Sequence, residues 1–353
     1  MDDIDTKTAQ VTTRPHGVIA GGTFKPHPLL RNAHLQTVTP TFFRPRPPAA
    51  VVCERLELAD GDFVDLGWID GSETRRSGPL LVMVHGLGGS LASKYALGLG
   101  HALAARGWRT AILQLRGAGP QPNRLARAYH HGDTADFHHV CAVLKARDPH
   151  ADLYAAGWSL GANVVLKALG EQGAASPLRA AAAGSAPFDL AACAEHLRHG
   201  LARHYQNYLL RALRDMLRRK FQAAGAPLMP PEADLEAALH AGDFFAFDDA
   251  YTAPLNGFAD ARDYYARVSC RQFLSAIARP TLIVNALDDP FMAPDITPPE
   301  TALAPSVRLE TCTHGGHVGF IAAGPRGGLR YWLEDRFIAF FESQRNGSHV
   351  ASP

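Results

Sequence analysis

A serine, an aspartate and a histidine that could together make a nucleophile follow one another along this chain. The serine is Ser159, in Gly157-Trp158-Ser159-Leu160-Gly161. Apolar Leu153-Tyr154-Ala155 precedes it, and the helix formers of 162–169 follow. A G-x-S-x-G run between a strand end and a helix is the setting of a nucleophile elbow, a strained turn that lifts the hydroxyl above the strand ends. Gly157 and Gly161 lack Cβ atoms, so strand and helix can approach closely on either side. The turn also aims a helix N-terminus at Ser159, where backbone N–H groups stabilise negative charge. Taken alone, the pentapeptide fits an ordinary strand-to-helix turn equally well.

A serine hydroxyl needs a general base, and the base needs a group to orient it. Histidine suits the first task, with an unperturbed pKa of about 6.5. The apolar run Thr281-Leu-Ile-Val-Asn285 leads into Ala286-Leu287-Asp288-Asp289-Pro290-Phe291-Met292. The run 307–311 leads into Thr313-His314-Gly315-Gly316-His317-Val318-Gly319-Phe320. Nucleophile, acid and histidine thus each follow a strand, in the order an elbow enzyme requires. Asp289, beside Pro290, is expected to be the acid, with Asp288 capping the turn. His317, behind two glycines that let a loop fold over the site, is expected to be the base. His314 is expected to pack structurally.

The oxyanion formed by attack on a carbonyl needs backbone N–H donors. Leu160, just after the nucleophile, offers one, and Leu87 in His85-Gly86-Leu87-Gly88-Gly89-Ser90 the other. A dinucleotide-binding reading of that glycine run fails on detail. The third glycine of G-x-G-x-x-G would fall at Leu91, and no acid stands near Gln114 to hold a ribose. The dense histidines His130, His131, His138 and His139 invite a metal reading, but no H-E-x-x-H pairing is present. Asp133, with Asp136 three residues on, instead reads as a capped helix start. No cofactor and no metal are expected.

These groups need a scaffold. His85, Arg116, Ser159, Asp289 and His317 all follow runs that read as strands, which places them on one rim of a mostly parallel sheet. Runs 51–58 and 63–69 flank the Asp60-Gly61 turn as a hairpin. Strands alternating with helices predict an α/β fold with helices on both faces of the sheet. Residues 1–22 are expected to be disordered, and 23–48, rich in proline, to lie over the core as a non-helical arm with His34 and Gln36 as structural polar contacts. Residues 49–189 and 278–345 are expected to form the core, 190–277 an inserted helical cap, and 346–353 a frayed tail. Phe244, Phe245 and Phe247 of the cap are candidates for an acyl pocket or for cap core. The final helix is expected to bury Leu329, Trp332, Leu333, Phe337 and Phe341.

The 353 residues carry 35 basic and 34 acidic side chains, a net charge of +1, which excludes a polyanion-binding composition and speaks against nucleic acid. The five cysteines are scattered, with no C-x-x-C, as in a reduced cytoplasmic protein. The acidic start has no apolar leader core, and no run of about 18 apolar residues exists to span a bilayer.

Together, the HGLGGS, LRGAG, GWSLGANV, ALDDPFMAP and THGGHVGF stretches resemble the α/β-hydrolase superfamily, and more narrowly its YheT-like branch, related to the eukaryotic ABHD lipases and esterases. The run from Pro28 to Thr37, Tyr129-His-His-Gly-Asp133 and the run from Phe247 to Phe258 are similar to that branch too. The resemblance covers about residues 24–343. It implies an α/β-hydrolase fold with an inserted helical cap and a carboxylic ester hydrolase whose triad is Ser159, Asp289 and His317. The substrate would be a small-molecule ester of short to medium chain, or an acylglycerol. The membrane anchor common in the eukaryotic relatives has no counterpart here, so a soluble protein is expected. An acyltransferase on the same triad and a non-catalytic binding protein of the same fold stay open as alternatives.

Overall fold

A computed structural model describes residues 15–75 and 77–346. Its centre is a sheet in which side chains alternate between two cores. On the strand Leu80–Val84, residues Leu80, Val82 and Val84 enter one core, and Leu81 and Met83 the other. That alternation is the two-residue period of a strand buried on both faces.

Among the described residues the sheet has nine strands: β1 (Val18–Gly21), β2 (Val51–Glu57), β3 (Phe63–Ile69), β4 (Leu80–Val84), β5 (Arg109–Gln114), β6 (Leu153–Trp158), β7 (Leu178–Gly184), β8 (Thr281–Ala286) and β9 (Val307–Cys312). The spatial order is β1-β9-β8-β7-β6-β4-β5-β3-β2. The pairs are parallel except that β3 runs antiparallel to β5 and to β2. A small hairpin, β10 (Ile321–Ala323) and β11 (Leu329–Tyr331), follows.

The helices are α1 (Ala33–Phe42), α2 (Lys94–Ala104), α3 (Thr134–Arg147), α4 (Leu160–Gln172), α5 (Leu190–Leu197), α6 (Ala202–Phe221), α7 (Leu235–His240), α8 (Phe244–Phe247), α9 (Ala253–Leu255), α10 (Ala261–Val268) and α11 (Trp332–Asn346). Helices α2 and α11 cover one face of the sheet, and α3 and α4 the other. Helices α5 to α10 fall between β7 and β8 with no described strand among them.

Four expectations differ from the structure. Residues 18–21, expected to be unordered, form β1, which pairs in parallel with β9 at the sheet edge. Their partner lies near the other end of the chain, so local composition carries no sign of it. The arm 23–48 contains α1. Asn32 Oδ1 accepts the His34 and Leu35 N–H groups, which offsets the bond lost at Pro40. Asp133 stands at the N-cap of α3 without capping it; its carboxylate takes Arg127 instead, at 2.8 Å. The last helix begins at Trp332, and Leu329 lies exposed in β11. The expected disorder of 1–14 and the tail beyond 346 lie outside the described residues.

Lys220, at the end of α6, ties that helix to the loop after β5. Its Nζ donates to Asn123 Oδ1 at 2.8 Å and to Arg127 O. Burial lowers its pKa from 10.5 to about 7. Between those values the unfolded chain binds a proton that the folded chain does not, so this group's contribution to stability rises with pH. Below pH 7 both states are protonated and the burial cost stands in full. Thermal unfolding at pH 7 and at pH 9.5 should show the wild-type midpoint rising relative to that of Lys220→Met.

Candidate active site

The turn between β6 and α4 holds Ser159 at φ 53°, ψ −118°, a backbone region that L-residues rarely enter. Close approach makes this possible. A Cβ at 157 would lie 2.2 Å from Gly161 O, and one at 161 would lie 2.1 Å from Val84 O. Only glycine fits at either position. Ser159 N–H donates to Gly184 O at 3.0 Å, which seats the turn on β7.

His317 Nε2 lies 3.0 Å from Ser159 Oγ, and its Nδ1 lies 2.8 Å from Asp289 Oδ2. An ionised carboxylate only accepts, so Nδ1 carries the proton and Nε2 accepts from the serine hydroxyl. The other oxygen of Asp289 accepts the Phe291 N–H at 2.9 Å. Asp288 points elsewhere: it accepts the Gly316 N–H at 3.0 Å and faces His314 Nδ1 at 3.3 Å. The two aspartates thus divide between the imidazole and the loop that carries it.

Beside Ser159 runs the loop after β4; a Cβ on Gly86 would sit 3.3 Å from Ser159 Cβ. Both neighbours of Leu87 are tied down. Gly86 N–H donates to Tyr95 Oη at 2.8 Å and Gly88 N–H to Tyr129 Oη at 2.9 Å. Burial depresses the His85 pKa to about 4, so its ring is neutral, with one donor and one acceptor. Nδ1 donates to Gly86 O at 2.8 Å and Nε2 accepts the Leu115 N–H at 3.3 Å. Leu160 begins α4, where an N–H has no partner within its helix. Among the described residues, no protein acceptor is recorded for the N–H of Leu87 or Leu160.

Sequence reasoning missed several supports. Thr37 Oγ1 on α1 accepts the His317 N–H at 2.9 Å. Ser185 Oγ, just after β7, accepts the Val318 N–H at 3.0 Å. Gln36, expected as a structural polar contact, is one: it is fully buried, its Nε2 donates to Leu30 O and Ile321 O, and its Oε1 accepts the Ile321 N–H. Phe291 stacks on the His317 ring, with centroids 3.9 Å apart and planes 9° apart. Tyr205 of α6 packs on Phe291 at 4.9 Å. Gln36 and Thr37 close the Pro28–Thr37 run, but nothing in its pattern told which loop it would touch.

A cavity of about 600 Å³ opens at Ser159 and His317, walled by α1, the loop after β4 and the first half of α6. A smaller one of about 60 Å³ meets the same two residues from the side of α5 and α8. Of the three cap phenylalanines, Phe244 lines the smaller cavity, whereas Phe245 and Phe247 line neither. Phe245 packs on Tyr265 and Phe247 on Tyr251, because successive helical residues point in different directions. Arg116 is turned from the rim into a buried cluster with Asp136 (2.6 and 2.7 Å), Asp60 and Asp62. Of the clustered histidines, His131 takes Tyr264 and His138 takes Glu171. Among the described residues no group of three or more His, Cys, Asp or Glu side chains is placed to hold a metal ion.

A strained serine turn on a mostly parallel sheet, faced by a histidine and an aspartate from later strand ends, defines a class. The alpha/beta hydrolase fold family model matches residues 79–323, and the chain belongs to that family, on its YheT-like branch. It is 41% identical over 329 residues to YheT of Escherichia coli (strain K12), a candidate esterase by name, covering 93% of this chain and 96% of that protein. It is 29% identical over 292 residues to Phospholipase ABHD3 of Mus musculus, covering 81% of this chain and 70% of that one. Medium-chain fatty acid ethyl ester synthase/esterase 2 of Saccharomyces cerevisiae is 30% identical over 267 residues, 69% of this chain and 58% of that one. Among solved structures, the Pyrococcus furiosus esterase Pf2001 superposes with a TM-score of 0.53 at 14% identity, over 85% of this chain and 98% of that one, and shares the fold.

The elbow geometry carries its own test. Gly161→Ala should lower stability by about 1–3 kcal/mol, because its methyl group meets a backbone oxygen that cannot yield. Chemical denaturation would read the loss, and turnover should fall with it.

Proposed function

We propose that this chain is a serine-dependent carboxylic ester hydrolase working through an acyl-Ser159 intermediate. Family membership supports the broad class of ester hydrolase. The observation that carries the finer reading is the 2.8 Å and 3.0 Å pair of hydrogen bonds running Asp289–His317–Ser159.

Ser159 Oγ attacks the ester carbonyl carbon as its proton passes to His317 Nε2. The carbonyl oxygen becomes an oxyanion between the N–H groups of Leu87 and Leu160, each such donor being worth roughly 2.7–4 kcal/mol of barrier. The tetrahedral adduct collapses, the bond to the alkoxy oxygen breaks, and His317 returns the proton to the departing alcohol. Water then attacks the acyl-serine with the same histidine as base, releasing the carboxylic acid and restoring Ser159. Asp289 holds the imidazole in the required tautomer and stabilises its protonated form. Phe291 lies flat against that ring, where its π face favours the cation formed during each transfer. Short- to medium-chain acyl esters or acylglycerols suit the larger cavity. A second reading, transfer of the acyl group to an alcohol in place of water, has the support of the yeast relative, whose name includes ester synthesis.

A fluorophosphonate probe should label the wild type and leave Ser159→Ala unlabelled; a wild type that resists labelling removes the acyl-serine reading. Asp289→Asn should cut kcat for p-nitrophenyl esters by about 10³–10⁴-fold. Asp288→Asn loses only a bond to the loop and should be far milder, so the reverse order refutes the assignment. Product analysis with an added acceptor alcohol separates hydrolysis from transfer.

A further inference from the structure

The large cavity opens between α1 and α6. These helices meet through His34 Nδ1, 2.8 Å from Tyr205 Oη, and through Phe42, whose ring packs edge-on against Tyr208 at 6.1 Å. On α1, Leu35 and Phe42 are seven residues apart and share a face; Leu201 and Tyr208 do the same at α6. All four point outward, with exposures of 43%, 60%, 63% and 52%, and Phe43 beside them is 76% exposed. Phe42 and Tyr208 also line the cavity, whereas Leu35, Phe43 and Leu201 lie outside it, so the apolar group extends outward from the mouth. Large apolar side chains gathered in this way mark an interaction surface.

The two helical segments that flank the mouth carry basic charge, and the one carboxylate lining the cavity, Glu334, is held by Arg44. Residues 24–48 contain Lys25, Arg31, Arg44 and Arg46 and no acid, and residues 201–214 contain Arg203, Arg211 and Arg214 and no acid. Arg44 is committed to Glu334 and Arg214 to Ala241 O. Arg31, Arg46, Arg203 and Arg211 are exposed, and none has a carboxylate partner among the described residues.

We propose that this rim docks the protein on an anionic phospholipid surface, with the aromatic and leucine side chains entering the headgroup boundary and the arginines meeting lipid phosphates. Apolar tips inside a basic collar are the composition of interfacial binding. Each Lys or Arg near such a surface contributes about 1 kcal/mol. A protein partner seated here would plug the passage to Ser159, whereas a lipid surface opens the passage to acyl chains without a step through water. No helix among the described residues is long and apolar enough to cross a membrane. The delivery of ester to Ser159 rests on the hydrolase reading; the docking does not.

The test uses the full chain with vesicles of phosphatidylcholine, with and without phosphatidylglycerol. Wild type should co-sediment with the anionic vesicles and much less with the neutral ones, and salt should release it. Arg203→Glu with Arg211→Glu should weaken that binding by at least about 30-fold. Phe43→Ser with Leu201→Ser should weaken it as well. None of these four residues lines the cavity, so both variants should turn over dispersed p-nitrophenyl butyrate as wild type does. Equal binding to both vesicle types, or wild-type binding by both variants, overturns the proposal. So does a wild-type dimer that ignores vesicles and dissociates in either variant, which would make the rim a self-interface. Absence of butyrate ester turnover with vesicle binding intact would sink the hydrolase reading alone.

Discussion

A non-glycine residue stays at φ 53°, ψ −118° only where its surroundings over-determine it, because such strain costs of order 1–3 kcal/mol. The site depends on that constraint. Strand β6 and helix α4 press together through two glycines, and α4 also presses against the end of β4. Ser159 cannot relax without separating elements that carry the core. The same contact brings the loop after β4 alongside the serine, so the hydroxyl and the Leu87 and Leu160 N–H groups are fixed by one packing arrangement. Any residue with a side chain at 157 or 161 would undo all three together.

The histidine loop is held by a different kind of force. Val318 and Phe320 have φ values of 60° and 45°, and Val318 is β-branched, which makes its conformation costly. Hydrogen bonds from three directions offset that cost: Thr37 on α1, Ser185 after β7 and Asp288 after β8. The His317 ring is then pressed from the side by Phe291, which Tyr205 of the cap backs in turn. An N-terminal helix, the sheet and the cap therefore converge on one imidazole. This arrangement links the placement of α6 to the orientation of the His317 ring.

Charge buried away from the reacting groups does structural work here. Arg116 sits among Asp60, Asp62 and Asp136, and bidentate pairing with Asp136 satisfies its guanidinium where water cannot. Its backbone carbonyl accepts the Tyr129 N–H, and Tyr129 in turn holds Gly88 beside Leu87. The cluster thereby supports the loop after β4 at one remove. Sequence logic put Arg116 on the catalytic rim because it follows a strand, and that much is true of its backbone. Its side chain turns inward because three carboxylates from two other segments meet it there.

The residues of the elbow, the order of serine, aspartate and histidine, the choice of Asp289 over Asp288 as the residue facing His317, and the α/β architecture were all readable in the amino-acid sequence. They are matters of local backbone conformation: glycines where no Cβ fits, apolar runs of strand length, and a proline beside the acid. Tertiary structure alone decided that β1 pairs with β9, that α1 forms and clamps the histidine loop, and that α6 supplies much of the cavity wall in place of Phe245 and Phe247. Those outcomes rest on fits between segments far apart in the chain, such as Gln36 with Ile321 or Tyr205 with Phe291. A single sequence records the two partners of each fit but not their meeting, because the free energy that joins them exists only once the core has brought them together.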